Sequence, residues 1–305
     1  MSLLDRAIIG VLPLVPKPVV GFFSKRYIAG DTVEKGLAES QRLNEAGCVV
    51  TLDVLGEDIR SRDEALGARD AYLRLLGAID EAGIEGNVSL KPTQLGLELD
   101  LDFATETIRA VVARAHELGS FVRIDMEDAT TTDHTLEVYR RLRSEFSNLG
   151  VVLQSCLRRT VRDAEALAAQ QANVRLCKGI YIEPYRISWR DPEIIRRAFV
   201  RDLEVLLRGG SYVGIATHDE ILVYEALELV RRLNLPPDAY EFQMLLGVTE
   251  RLRQIVIDGG HRMRVYVPFG REWYAYSTRR LRENPKMAST ILRDILGLSQ
   301  ERRRR

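Results

Sequence analysis

Cysteine and histidine are scarce in this chain of 305 residues, and that scarcity narrows its chemistry. The 3 cysteines, Cys48, Cys156 and Cys177, are odd in number and widely spaced, so they encode neither a disulfide framework nor a zinc site. Free thiols of this kind suit the reducing cytoplasm. The 4 histidines, His116, His134, His218 and His261, belong to separate segments, which argues against a histidine-built metal centre. Neither sign of charge prevails: 44 basic residues balance 44 acidic ones. A nucleic-acid surface would require a basic excess. Long apolar runs are missing too. The segment Ala7–Phe23 is apolar, but it is short, broken by Pro13, Pro16 and Pro18, and lacks a cleavage site for export. No Gly-x-Gly-x-x-Gly follows the first strand and no Walker loop occurs, so neither standard nucleotide-binding fingerprint is encoded.

What is present has a regular rhythm. Apolar residues make up 46% of the chain and charged residues 29%, ordinary for a globular protein. Short β-rich runs are expected at Cys48–Val54, Asn87–Lys91, Phe121–Met126, Val151–Gln154, Val174–Lys178, Tyr212–Thr217, Tyr240–Leu245 and Met263–Val267. Helical periodicity is expected near 63–82, 102–118, 133–147, 161–171, 191–208, 219–233 and 248–258, and again at 272–283. This alternation predicts an α/β fold, a parallel (β/α)8 TIM barrel with N-terminal helices outside it. The expected organisation is a helical lead-in over 1–46, a barrel domain over 47–297 and a basic tail over 298–305. The apolar lead-in either covers the barrel or touches lipid, and packing is favoured.

In such barrels the chemistry gathers at the C-terminal ends of the strands. Strand interiors are expected to be apolar, whereas the predicted strand ends carry Lys91, Asp125 with Glu127 and Asp128, Gln154, Arg175 with Lys178, Thr217-His218-Asp219, Glu241 with Gln243, and Tyr266. Gly179 permits close approach to a flat or phosphorylated ligand. Lys178 is open to two readings, a Schiff-base lysine or a cation beside a phosphate. Further on, Tyr276, Arg279, Arg280 and Glu283 fall at i, i+3, i+4 and i+7, one face of a helix. Paired arginines there match a small carboxylate two-toothed, and Glu283 can steady Arg279. The same spacing also describes a solvated charged helix, so the company it keeps decides.

Together these segments resemble one family. Ser89-Leu-Lys91-Pro-Thr-Gln-Leu-Gly, Arg123-Ile-Asp125-Met-Glu-Asp, Arg175-Leu-Cys177-Lys178-Gly179-Ile-Tyr181, Ala216-Thr217-His218-Asp219, Glu241-Phe-Gln243-Met, Tyr266-Val-Pro-Phe-Gly and the Tyr276–Pro285 helix are similar to proline dehydrogenase, in order, over about 89–285. The resemblance implies a distorted (β/α)8 TIM barrel, with a final helix over the active-site mouth, that holds non-covalent FAD, oxidises L-proline to Δ1-pyrroline-5-carboxylate and passes electrons to a membrane quinone. It matches the short, monofunctional form. Contact with the inner face of the membrane is an open consequence of the quinone.

Carried over residue by residue, the family pattern makes Lys91, Arg279 and Arg280 the grip on the proline carboxylate, with Glu283 bracing Arg279. Tyr266, Tyr276 and Leu245 would wall the pyrrolidine ring. Asp125 would serve as the active-site aspartate, in reach of substrate and cofactor. Arg175 would stand near the flavin N5 and Gln154 at the ring edge. Cys177, Lys178, Gly179, Tyr181, Thr217, His218 and Gln243 complete the expected cofactor surroundings, and no metal is expected. The chain departs from the pattern at Pro92, Cys177, Ile180 and Asp219, which puts fine cofactor contacts in question.

Overall fold

The computed structural model describes Ser24 and residues 26–56, 59–274 and 277. A brace helix α1 (Val33–Glu45) precedes strand β1 (Val49–Val54). Strands and helices then alternate: α2 (Arg62–Glu81), β2 (Gly86–Leu90), α3 (Leu101–Glu117), β3 (Val122–Ile124), α4 (Thr132–Arg143), β4 (Leu149–Gln154), α5 (Thr160–Ala168) and β5 (Val174–Cys177). The series continues through α6 (Pro192–Arg208), β6 (Val213–Ala216), α7 (Glu220–Arg232), β7 (Tyr240–Leu245), α8 (Glu250–Asp258) and β8 (Met263–Phe269). All neighbouring strands pair in parallel, and β8 returns to β1 to close the barrel.

Local sequence explains where the helices begin. Ser61, Asp100, Asp191 and Asp219 each accept a backbone N–H of the first turn of α2, α3, α6 and α7, satisfying donors that a helix start leaves open. Pro192 at the start of α6 fits because that position needs no N–H. Helix α5 stops at Ala168, short of the expected 171, and Gln171 takes a left-handed φ of 48° as the chain leaves it. Of the expected helix at 272–283, Trp273, Tyr274 and Ser277 are helical, Glu272 lies in a turn, and the remainder lies outside the described residues.

The strands sort their side chains by alternation. Val50 and Leu52, Val88 and Leu90, Val151 and Leu153, Val174 and Leu176, and Val265 and Val267 are buried in the apolar layer between sheet and helices. Each such burial stabilises the fold by about 1.5–3 kcal/mol. The residues between them point into the barrel, and apart from Val152 these are not apolar. Thr51, Asp53, Asn87, Ser89, Arg123, Asp125, Arg175, Glu241 and Gln243 are all buried. The expectation of apolar strand interiors is therefore corrected: the apolar core lies outside the sheet, and a polar network fills the lumen.

Candidate active site

Asp125, one residue past β3, is the hub of the lumen. Its Oδ1 accepts from Arg175 Nη1 at 2.6 Å and from the Ser89 hydroxyl at 2.6 Å. Its Oδ2 accepts from the Tyr266 hydroxyl at 3.0 Å. Residues from β2, β3, β5 and β8 thus converge on one carboxylate, which only a closed barrel permits. The Arg175 guanidinium carbon also stands 5.2 Å from the centre of the Tyr266 ring, within cation–π range. On its other side, Arg175 Nε donates to the Gln243 carbonyl at 2.6 Å.

Lys91, just past β2, donates to both oxygens of Asp53, at 2.7 and 2.9 Å. Burial alone would push the Lys91 ammonium down, but Asp53 and Asp125 outweigh it and hold it above the ordinary lysine range. An ammonium has three donors, so with Asp53 taking two, one remains for a further acceptor. Tyr72 of α2 backs this corner, with its hydroxyl donating to the Ser89 carbonyl at 3.0 Å. Gln154, at the end of β4, donates to the Glu127 carbonyl at 2.7 Å, while Glu127 accepts from Thr93 through both oxygens.

The β5 and β6 ends make a second cluster. Lys178 and Arg196 both donate to one oxygen of Asp219, each at 2.9 Å. Burial would raise the Asp219 carboxyl, but the two cations prevail and hold it below the usual range. The Asp219 N–H donates to the Thr217 hydroxyl at 3.1 Å. His218 Nε2 accepts the Leu245 backbone N–H at 2.8 Å, so that nitrogen carries no proton. Gly179 has φ 95°, and a Cβ there would stand 2.3 Å from Cys156 Sγ, so only glycine fits the turn. Cys177 donates weakly to the Leu153 carbonyl, and Tyr181 is half-buried in the following loop. A Schiff-base role for Lys178 would need its nitrogen uncharged and unpaired, whereas it is engaged in this ion pair.

The structure brings together Lys91, Asp125, Arg175, Gln243 and Tyr266 around the lumen, with Leu245 and Gln154 at strand ends. Tyr276, Arg279, Arg280 and Glu283 lie outside the described residues. Glu241 requires a correction. It is the second residue of β7, so it sits low in the barrel, paired with Arg264 at 2.6 Å, and not at the mouth. Sequence reasoning also passed over Asp53, Arg123, Arg196 and Arg264. A signal for Asp53 and Arg123 was available: polar residues two apart within apolar strands, as in Thr51/Asp53, Asn87/Ser89, Arg123/Asp125 and Glu241/Gln243.

Among the described residues, no group of His, Cys, Asp and Glu could hold a metal ion. The donors present do fit a flavin dinucleotide. Lys178 and Arg196 supply cations beside the start of α7 for a diphosphate, and Arg175, Gln154 and Gln243 supply donors and acceptors for a ring edge.

A closed parallel barrel with buried arginines in its lumen, and a lysine and a carboxylate just past the C-terminal ends of β2 and β3, defines the class: a (β/α)8-barrel protein with an enzyme-type polar site. The chain belongs to the proline dehydrogenase family, whose model matches residues 36–293. It is 35% identical over 273 residues to proline dehydrogenase 1 of Bacillus subtilis subsp. natto, covering 90% of each chain. It is 36% identical over 278 residues to the proline dehydrogenase of Deinococcus radiodurans, again covering 90% of each. The crystal structure of proline utilization A from Bdellovibrio bacteriovorus inactivated by N-propargylglycine superposes with a TM-score of 0.80 at 26% identity, over 86% of this chain and 32% of that one.

Proposed function

We propose that this chain oxidises L-proline to Δ1-pyrroline-5-carboxylate, using FAD and passing electrons to a membrane quinone. The observation that carries the reading is the Asp125–Arg175–Tyr266 constellation beside Lys91, in a chain of this family. FAD, when bound, supplies the two-electron acceptor for the hydride leaving C5 of proline. The residues bind and orient. Lys91, with Arg279 and Arg280, grips the substrate carboxylate, and Glu283 steadies Arg279. Tyr266, Tyr276 and Leu245 wall the ring, so that C5 is presented in one pose. Both oxygens of Asp125 are already occupied by donors, which suits it to fixing Arg175 and Tyr266 rather than to taking the amine proton. The excess of cations around the carboxylate favours the neutral amine that hydride loss requires. Arg175 is placed to stabilise negative charge that develops as the acceptor is reduced.

The test is the absorbance spectrum of the purified protein and its response to L-proline without oxygen. A flavin band that bleaches on proline is the expected result. A yellow protein that stays yellow would move the substrate to another amine or make the chain a silent binder. A colourless one that cannot be loaded with FAD, but is trapped by borohydride with a carbonyl compound, would replace the reading with a Lys178 aldolase. In the active protein, Arg280→Ala should raise KM for proline at least ten-fold, since a charged hydrogen bond contributes about 1.5–3 kcal/mol. An unchanged kcat/KM would remove Arg280 from the grip.

A further inference from the structure

Glu241 is buried at 1% exposure, deep in the barrel and away from the mouth where the site opens. A single oxygen of its carboxylate accepts from two donors, Arg264 Nε at 2.6 Å and Gln243 Nε2 at 2.6 Å. Gln243 then accepts at its carbonyl from Arg175 Nε at 2.6 Å, and Arg175 reaches Asp125 with Nη1. Four side chains therefore form an unbroken line from Arg264 at the floor to the aspartate of the site.

The polarity of that line is forced. A carboxylate only accepts and a guanidinium only donates, so the amide between them has one orientation that satisfies both. Burial would push the Glu241 carboxyl up, but Arg264 and the Gln243 amide outweigh it and hold it below its usual range, leaving no proton to donate. There is also no slack around the amide. A Cβ on Gly214 of β6 would stand 2.3 Å from Gln243 Nε2, so the sheet backbone closes directly on it.

We infer that Glu241 is a positioning residue for Arg175: from the floor of the barrel it fixes, through the Gln243 amide, where the guanidinium stands relative to Asp125 and Tyr266. This rests on the proposed use of Arg175 beside the cofactor. Glu241 touches neither substrate nor cofactor, and its effect passes only through the amide. The alternative is a purely structural pair with Arg264 that happens to lie beneath the site.

Two measurements separate these. In the FAD-loaded protein, Glu241→Gln weakens the charged anchor, so flavin reduction at saturating proline should slow by about ten-fold. KM should change less than about two-fold, and the midpoint potential of the bound flavin should shift. A Glu241→Gln protein with wild-type reduction rate and potential would overturn the assignment.

The second measurement uses the apo chain. Glu241 and Arg175 do not touch, so a structural role predicts additive losses in unfolding midpoint for Glu241→Gln and Arg175→Lys, whereas the relay predicts non-additivity. Additive losses would overturn it. A wild-type chain that takes up no FAD sinks the proposed function alone, and the apo cycle then decides the relay.

Discussion

Single residues in this lumen are tied to partners whose removal has a definite sign. Asp53→Asn takes away the counter-charge that holds the Lys91 ammonium, leaving a buried cation with one neutral acceptor. The expected result is weaker proline binding together with a lower unfolding midpoint. A change in neither would mean that Asp53 is dispensable to Lys91. Cys156 behaves in the opposite way to a reactive thiol. Burial, then Cys177 and Glu183, push it up to about 12, so little thiolate forms at working pH. Iodoacetamide at pH 8 should leave Cys156 unlabelled until denaturant is added, and mass spectrometry of the digested protein would reveal any early labelling.

At the scale of elements, Asp219 joins two jobs that can be separated by substitution. It caps α7 and it holds Lys178 and Arg196. Asn caps a helix about as well as Asp, whereas Ala costs about 1 kcal/mol. Asp219→Asn should therefore remove the ion pairs while sparing the cap, and Asp219→Ala should lose both and melt lower. The pH dependence has a definite direction. The folded Asp219 pKa lies below its unfolded value, so its stabilisation is present above the ordinary carboxylate range and fades as pH falls through the folded pKa. Acid titration of the unfolding midpoint should show that loss in wild type and a smaller one in Asp219→Asn. The β5–α6 turn is tested by Gly179→Ala, which combines a disfavoured positive φ with a contact on Cys156 Sγ. A destabilisation of about 1–3 kcal/mol is expected, read from denaturant midpoints.

For the whole molecule, closure is the decisive feature, and Arg264 is built into it. From β8 it donates to the Val50 carbonyl of β1 at 2.7 Å and to Glu241 of β7 at 2.6 Å, stitching the strands on either side of the closing seam. Arg264→Met leaves Glu241 buried with Arg262 at 3.6 Å as its remaining cation. Breaking a buried pair in this way costs about 3–5 kcal/mol. The urea midpoint of Arg264→Met should fall accordingly, and a midpoint near wild type would show that the seam holds by strand pairing alone. No helix among the described residues is long and apolar enough to cross a membrane.

The strand–helix rhythm, and with it the barrel, was legible in the sequence because β-branched runs and helical periodicity are local properties. Asp125, Arg175, Lys178 and Tyr266 stood out in the sequence too, since polar residues in or beside apolar runs break the pattern. Glu241 was misplaced because it sits in a polar pair like the others. Only strand register tells the start of β7 from its end. Asp53 and Arg264 went unread because their meaning depends on partners 38 and 23 residues away, Lys91 and Glu241. What the sequence alone determined was the order of elements and the kinds of charge available. Which charge meets which was decided by closing the sheet, because only then do side chains from non-neighbouring strands share one interior.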